Sequence, residues 1–394
     1  MSNQQYIEMS DRYLMGTYGH FPLVGAQGRG CILTDCDGKE YIDLGSGIGV
    51  NALGYCDEQW VDAVCRQVHT LNHVSNYFYT VPAAEAARKL VTAAGMSRVF
   101  FGNSGAEANE GAIKLARKYS CDKYGEQRTK IITLNSSFHG RTVTTLEATG
   151  QDVFHHYFFP FAGGFLYSDP DMDSIRKTMT DEVCAVMIEL IQGEGGVNPL
   201  DKEFVQQLRA FTQEHDLALI VDEVQTGIGR TGKLFAYQQY GIQPDIVSSA
   251  KGLAGGLPIG AFLCNEKYSQ VLGASHHGST FGGNPISCAG ANVVLDRVCD
   301  PAFLQQVEAK GHYIVRKIMD MKSDKVKAVK GMGLMLGIQL EGVENKAVCS
   351  ALFANGVLAL TAGHNVLRLL PPLVISYEEI DRAMEILEKV LKEA

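Results

Sequence analysis

No stretch of the chain approaches the roughly 18 consecutive apolar residues that a bilayer-spanning helix needs. A membrane role is therefore not expected. The opening MSNQQYIEMSDRY is polar and lacks the apolar centre of an export signal. The ten cysteines include no Cys-x-x-Cys pair. Without an export signal they read as reduced thiols, which predicts the cytoplasm. There is no G-x-x-x-x-G-K-[ST] run, which excludes a P-loop. There is no His-Glu-x-x-His, and the pairs His155–His156 and His276–His277 lack companion ligands at metal spacing, so no metal is expected. A basic excess is also missing. Lys plus Arg total 35 against 44 for Asp plus Glu, a net charge of −9, which argues against nucleic acid as a partner. Repeats, low-complexity tracts and Pro- or Ser-rich linkers are absent.

What remains is an ordinary globular composition: 46% hydrophobic and 20% charged residues over 394 positions. That length suits two or three compact units. Short apolar runs recur at 99–101, 131–134, 184–190, 217–221, 245–249 and 260–264, many followed by glycine. Helical periodicity separates some of them, as in 106–119 and 203–214. Buried strands alternating with helices indicate an α/β fold with a mostly parallel central sheet. Past residue 290 the texture changes to a long helix over 303–320, a strand pair near 333–340 and 357–360, and a last helix over 377–392. Ser376 and Glu379 open that helix as a capping box. The expected organisation is an N-terminal segment 1–45 packing with the small domain, a large domain 46–288, and a smaller α+β C-terminal domain 289–394.

Two glycine patterns invite a nucleotide reading: GIGVNA at 47–52 and GIGRTG at 227–232. A lone match carries little weight, and the second is not followed by a long helix, so both read as tight turns. Other residues carry more chemistry. Lys251 follows DIVSSA and precedes small residues, which places a partly desolvated amine at a strand end. Desolvation lowers its pKa and makes it a nucleophile suited to Schiff-base chemistry. Asp222 closes LALIVDEV, 29 residues earlier, about one strand–helix–strand crossover. A carboxylate there needs a cation, such as the protonated nitrogen of a pyridoxal phosphate ring. Open α/β sheets bind ligands at such carboxyl ends. GNSGAEANE at 102–110 leads from a strand into a helix whose first amides, at Gly105 and Ala106, suit a phosphate; capping by Asn103 or Ser104 is the alternative. In FHGR, Phe138 is placed to stack on a flat ring and Arg141 to hold a carboxylate. Arg368, flanked by apolar residues and prolines, needs an anion. Glu194, in QGEGG, lies where glycines allow close approach.

These segments resemble one family in their order. SGAEANE, FHGRT, IQGEGG, DEVQTGIGRTG, SSAKGLAGGLPIGA, GSTFGGNP and RLLPPLV are similar to the class III aminotransferases, pyridoxal-phosphate enzymes of fold type I. The resemblance covers nearly the whole chain. It implies that Lys251 holds the cofactor and moves the proton, that Asp222 pairs with the ring nitrogen, and that Gln225 meets the ring hydroxyl, with Glu223 and Val224 beside them. It implies that Phe138 stacks on the ring and that Gly105 and Ala106 hold the phosphate. Thr280 would reach the phosphate of a neighbouring subunit, making a homodimer, with Ser279 near the substrate. Arg141 would hold the distal carboxylate of the substrate and Arg368 the α-carboxylate of glutamate or 2-oxoglutarate. Glu194 would pair Arg368 when no α-carboxylate is present and swing away when one is. Two positions depart from the family: Leu190 stands where a proline is usual, and Ala106 where many members have threonine.

The expected substrates are a small-molecule amino donor and 2-oxoglutarate. Members acting on free ornithine carry a tyrosine around the present Gly47. Gly47 and Ile48 leave room for a blocked α-amine, so N-acetylornithine is the expected donor. Ornithine, succinylornithine, GABA or another N-acylated diamino acid are the alternatives within the family. A nicotinamide-dependent dehydrogenase resting on the glycine patterns is the alternative of another class.

Overall fold

The computed structural model describes residues 2–394. Three strands come first: β1 (Gly25–Arg29), β2 (Ile32–Asp35) and β3 (Glu40–Asp43), an antiparallel meander. The chain then builds its main sheet from β4 (Arg98–Gly102), β5 (Lys130–Leu134), β6 (Phe165–Ser168) and β7 (Val183–Ile188). A two-stranded ribbon, β8 (Ile191–Gln192) and β9 (Asn198–Pro199), follows. The main sheet is completed by β10 (Ala218–Asp222), β11 (Ile246–Ser249) and β12 (Gly260–Cys264). Its order is β4-β12-β11-β10-β7-β5-β6, and only β12 runs against its neighbours. The α/β fold with a mostly parallel sheet is thus the one expected. Each apolar run singled out above falls on a strand; β6 is the one main-sheet strand left out, although its Phe165-Leu166-Tyr167 is as long as the run at 99–101.

β7, β10, β11 and β12 are buried at every residue, since helices cover both faces. Two cores result. One holds Leu134, Val186, Leu219 and Val247; the other holds Ile131, Ala185, Ile220 and Ile246. Alternate residues of the same strands supply the two faces, as the period of two requires.

The C-terminal sheet is β13 (Val326–Met332), β14 (Met335–Leu340), β16 (Leu360–Ala362) and β17 (Val366–Leu369), in the order β13-β14-β17-β16. Here the expected pairing of 333–340 with 357–360 is corrected. β14 pairs with β13 and β17, whereas Val357 and Leu358 form β15, which joins β3 in parallel. The reason is local. The helix Asn345–Ala354 ends at Asn355–Gly356, and the chain leaves it against β3, with Ile42 N donating to Gly356 O. The helix Pro301–Asp320 begins with Asp300 accepting from Ala302 N, and the last helix, Tyr377–Glu393, opens on the anticipated Ser376–Glu379 capping box.

Candidate active site

The carboxyl ends of the parallel strands open into a cavity of about 570 Å³. Three acidic or basic groups reach it from consecutive strand ends. Glu189 follows β7, Asp222 ends β10, and Lys251 stands two residues past β11. Each is set by covalent order: a strand buried throughout stops, and the next charged residue emerges at the rim.

Lys251 sits in a left-handed backbone conformation, φ 46°, which costs a non-glycine residue about 1 kcal/mol or more. Burial is the main influence on its amine and lowers it to about 8 from the ordinary 10.5; Arg368 adds to this, while Glu194, Asp222 and Glu189 oppose it. Asp222 is 4% exposed. Its Oδ2 accepts from Asn109 Nδ2 and lies against His139 Nδ1, both at 2.8 Å. Its Oδ1 accepts from Val224 N at 2.9 Å. Three partners thus fix the carboxylate in one orientation. His139 is itself buried, and its Nε2 has no protein partner.

Glu189 accepts from Phe138 N at 2.8 Å and Gly193 N at 3.3 Å. Burial, reinforced by the nearby Asp222 charge, holds its carboxyl well above the usual range. Glu223 points the other way, into the protein, where Tyr237 N and Thr226 Oγ1 donate to it and burial raises it to about 7.

On the opposite wall the helix Gly105–Tyr124 begins. Its first amides have no intrahelical acceptors, and its dipole favours an anion. Ser104 caps it by accepting from Glu107 N. Gly105 lets the backbone come close: a Cβ there would stand 2.7 Å from Val224 Cγ1. Ala106, Phe138 and Arg141 complete this side. The Arg141 guanidinium lies over the Phe138 ring at 5.5 Å and the Phe154 ring at 4.2 Å.

Arg368 lies within β17 and is 2% exposed. Its Nη1 donates to Glu194 Oε1 at 2.6 Å and to Gln225 Oε1 at 3.1 Å, and its Nη2 to Glu194 Oε2 at 3.3 Å. Burial pushes the Glu194 carboxyl up, but the Arg368 guanidinium more than offsets this and holds it low. Gln225 lines the Lys251 cavity while bonding this pair, which stands behind it.

Some anticipated residues lie elsewhere. Thr280 is exposed, outside the cavity of its own chain, while neighbouring Ser279 accepts from Asn103 Nδ2 and Gly282 N at 3.0 Å each. Gly47 and Ile48 adopt φ 64° and 63° and line a separate cavity with Tyr55 and Phe353. The cavity also contains residues that sequence reasoning gave no role: Glu189, His139 and Asn109. Glu189 carried the same signal as Asp222, a charge closing an apolar run. Asn109 is a polar residue on the buried face of its helix. His139 had no signal beyond its place in FHGR.

The residues present fit pyridoxal phosphate. A lysine with a lowered pKa, a buried and oriented carboxylate, and a glycine-led helix start converge on one cavity large enough for it. Among the described residues no group of three or more His, Cys, Asp or Glu stands together as a metal site, and no helix is long and apolar enough to cross a membrane.

Comparison with known proteins agrees. Residues 14–391 match the family described as Aminotransferase class-III. The acetylornithine aminotransferase of Haemophilus ducreyi is 49% identical over 396 residues, all of both chains. Among solved structures, the ornithine aminotransferase of Toxoplasma gondii ME49 superposes with a TM-score of 0.96 at 30% identity, covering 100% of this chain and 96% of that one. The N-acetylornithine aminotransferase of Stenotrophomonas maltophilia K279a gives 0.85 at 35% identity, covering 98% of each.

Proposed function

The chain belongs to the class III aminotransferases, which are pyridoxal-phosphate enzymes, and from that premise we propose that it moves the δ-amino group of N-acetyl-L-ornithine to 2-oxoglutarate. The products are N-acetyl-L-glutamate 5-semialdehyde and L-glutamate, a step of arginine biosynthesis. The observation that carries the proposal is the single cavity in which Lys251 and Asp222 meet, with the Arg368–Glu194 pair bonded to Gln225 of its lining. Relatives named for acetylornithine, 41–49% identical over their whole length, support the donor.

Pyridoxal phosphate supplies an electron sink that stabilises negative charge at the substrate carbon losing its proton. The chain's own residues do the rest. Lys251 Nζ, as a free amine neutral above about pH 8, would hold the cofactor and, once freed by the donor, would move the proton at the substrate carbon. Asp222, held by Asn109, His139 and Val224, presents a fixed negative charge to the ring nitrogen. Gly105 and Ala106 offer amides to the phosphate, Phe138 covers the ring face, and Gln225 reaches the ring hydroxyl. Arg141 receives the carboxylate of the donor. Arg368 receives the acceptor's α-carboxylate, which displaces Glu194. The exposed Thr280 supports a homodimer in which it completes the partner's phosphate site. Ten unpaired cysteines support a reducing compartment, the cytoplasm.

Free ornithine is the second reading, favoured by the TM-score of 0.96 to an ornithine aminotransferase. The test is the absorption spectrum of the purified holoenzyme on addition of N-acetyl-L-ornithine, with L-ornithine in parallel. Loss of the yellow band at far lower concentration of the acetylated donor is expected. Bleaching by ornithine alone moves the donor assignment to the second reading. Protein that stays colourless with added pyridoxal phosphate overturns the proposal.

A further inference from the structure

The loop after Gln225, TGIGRTG at 226–232, holds a group that the reaction scheme above does not use. Arg230 is 2% exposed, yet its side chain bonds no carboxylate among the described residues. Its Nη1 donates to two main-chain oxygens, Leu334 O at 3.2 Å and Pro371 O. Its Nη2 is buried without a partner. A buried cation that lacks an acid is costly, and an apolar side chain of similar volume would serve packing better. The loop is also strained. Ile228, a β-branched residue 2% exposed, is held at φ 57°.

The two oxygens mark one place in the fold. Leu334 immediately precedes β14 and Pro371 follows β17, at the adjoining ends of two paired strands, where Leu336 faces Leu369. Arg368 lies in β17 three residues before Pro371. The contact is reciprocal, because Leu334 N donates to Arg230 O at 2.9 Å. Gly333 permits it; a Cβ there would stand 2.5 Å from the Thr231 carbonyl carbon. On the far side the same segment is tied by Ser46 Oγ donating to Leu370 O at 2.5 Å and by Leu373 N donating to Ala52 O at 2.9 Å. Thus one stretch of chain bears on Arg368 by two routes: Gln225 bonds its guanidinium, and Arg230 bonds Pro371 O, three residues beyond it.

We infer that Arg230 is a positioning residue for the acceptor step: its Nη1, bonded to Leu334 O and Pro371 O, pins the ends of β14 and β17 and holds Arg368 in place while the acceptor carboxylate replaces Glu194. The inference rests on the function proposed above. In the resting site Arg368 is located by Glu194 and Gln225. Once Glu194 leaves, only Gln225 and the strand locate it, and Arg230 fixes the strand. The donor half of the cycle does not require Arg368 to be free, so it depends less on this tie.

The two half-reactions, measured separately on wild-type, Arg230→Lys and Arg230→Gln holoenzyme, test this. Lysine keeps a cation but not the planar guanidinium whose Nη1 lies between the two carbonyls, and glutamine keeps neither the charge nor that shape. The expected result is a KM for 2-oxoglutarate raised about tenfold, with the donor half-reaction changed less than about twofold. Inhibition by glutarate, a dicarboxylate that cannot react, should weaken by the same factor. Equal losses in both half-reactions, or a lowered melting temperature with both half-reactions unchanged, overturn the inference. If Arg230→Gln does not fold, Arg230→Lys decides. Wild-type enzyme that ignores 2-oxoglutarate overturns the functional proposal and this inference with it. Wild-type enzyme that uses 2-oxoglutarate, with the variants unchanged, overturns the inference alone.

Discussion

The two sides, or walls, of the site are built by opposite means: the cavity itself, and the Arg368–Glu194 pair behind Gln225. On the main-sheet wall Glu189, Asp222 and Lys251 are delivered by the ends of buried strands, and main-chain amides or packed side chains fix them. On the C-terminal wall Arg368 lies within a strand, and its charge is met by Glu194, a side chain 28% exposed and carried on a glycine-rich turn. The first wall has one arrangement. The second has a pair that can separate. Chemistry common to both halves of a transamination belongs on the fixed wall, and discrimination between donor and acceptor on the separable one.

Lys251→Ala tests the fixed wall most severely. It removes the group proposed to shuttle the proton, so turnover with either substrate should fall about 10⁴-fold or more. Single-turnover spectra with donor and with acceptor measure it. A loss confined to one half-reaction would break the contrast between the walls.

The pH dependence is next in size. Burial holds the Lys251 amine at about 8 in the cofactor-free protein. The neutral amine is the form that takes up the cofactor aldehyde. Uptake of pyridoxal phosphate by the cofactor-free protein should therefore fall about tenfold per unit below pH 8 and level off above it. Stability follows the same sign. Between about 8 and 10.5 the unfolded lysine keeps a proton that the folded one has lost. Folding stability should therefore rise with pH across that window. Stopped-flow absorbance and thermal melts across pH 6–10 would read both. An uptake profile that kept rising through pH 10, with no levelling near 8, would place the amine in water rather than in the wall.

The fixed wall was legible in the sequence because strand ends are. LALIVDEV and DIVSSAK announce their charges by following unbroken apolar runs, and the main sheet was read from the same runs. The C-terminal wall was less legible from its residues. RLLPPLV shows a buried arginine but not what meets it, since Glu194 lies 174 residues away in the chain. The β15 pairing with β3 was missed for the same reason: a two-residue strand has no period of its own, and only its neighbours decide where it joins. Asn109 and His139 were visible as residues but not as partners, because both depend on how the Gly105–Tyr124 helix rests on β10. GIGRTG was set aside as a nucleotide motif, yet its arginine has a place that only the two carbonyls reveal.

Gly105→Ala probes how the fixed wall is joined together. The new Cβ would press on Val224 at 2.7 Å. Val224 N is the donor that holds Asp222 Oδ1. Displacing it disturbs the phosphate-facing amides and the ring-facing carboxylate together. Cofactor affinity should drop about tenfold, read by titration of the cofactor-free protein. Both half-reactions should regain their rates at saturating cofactor.

Glu194→Gln gives the smallest change and the one of opposite sign. In the resting site the Glu194 carboxylate competes with the acceptor for Arg368. Glutamine retains one weaker hydrogen bond and no charge, so the acceptor's carboxylate displaces it more easily. The KM for 2-oxoglutarate should fall about threefold, and discrimination against glutamate as a donor should weaken by a similar factor. Stability should move the other way. Arg368 is buried and loses its counter-charge, at a cost of roughly 1–3 kcal/mol in the substrate-free enzyme. Excess 2-oxoglutarate or glutarate should restore part of that loss, because a bound carboxylate supplies the missing charge. Melting curves with and without glutarate, set beside the two KM values, measure both effects. If the substitution raised both KM values and glutarate restored nothing, Glu194 would belong to the fixed wall, and the division between the two walls would fail.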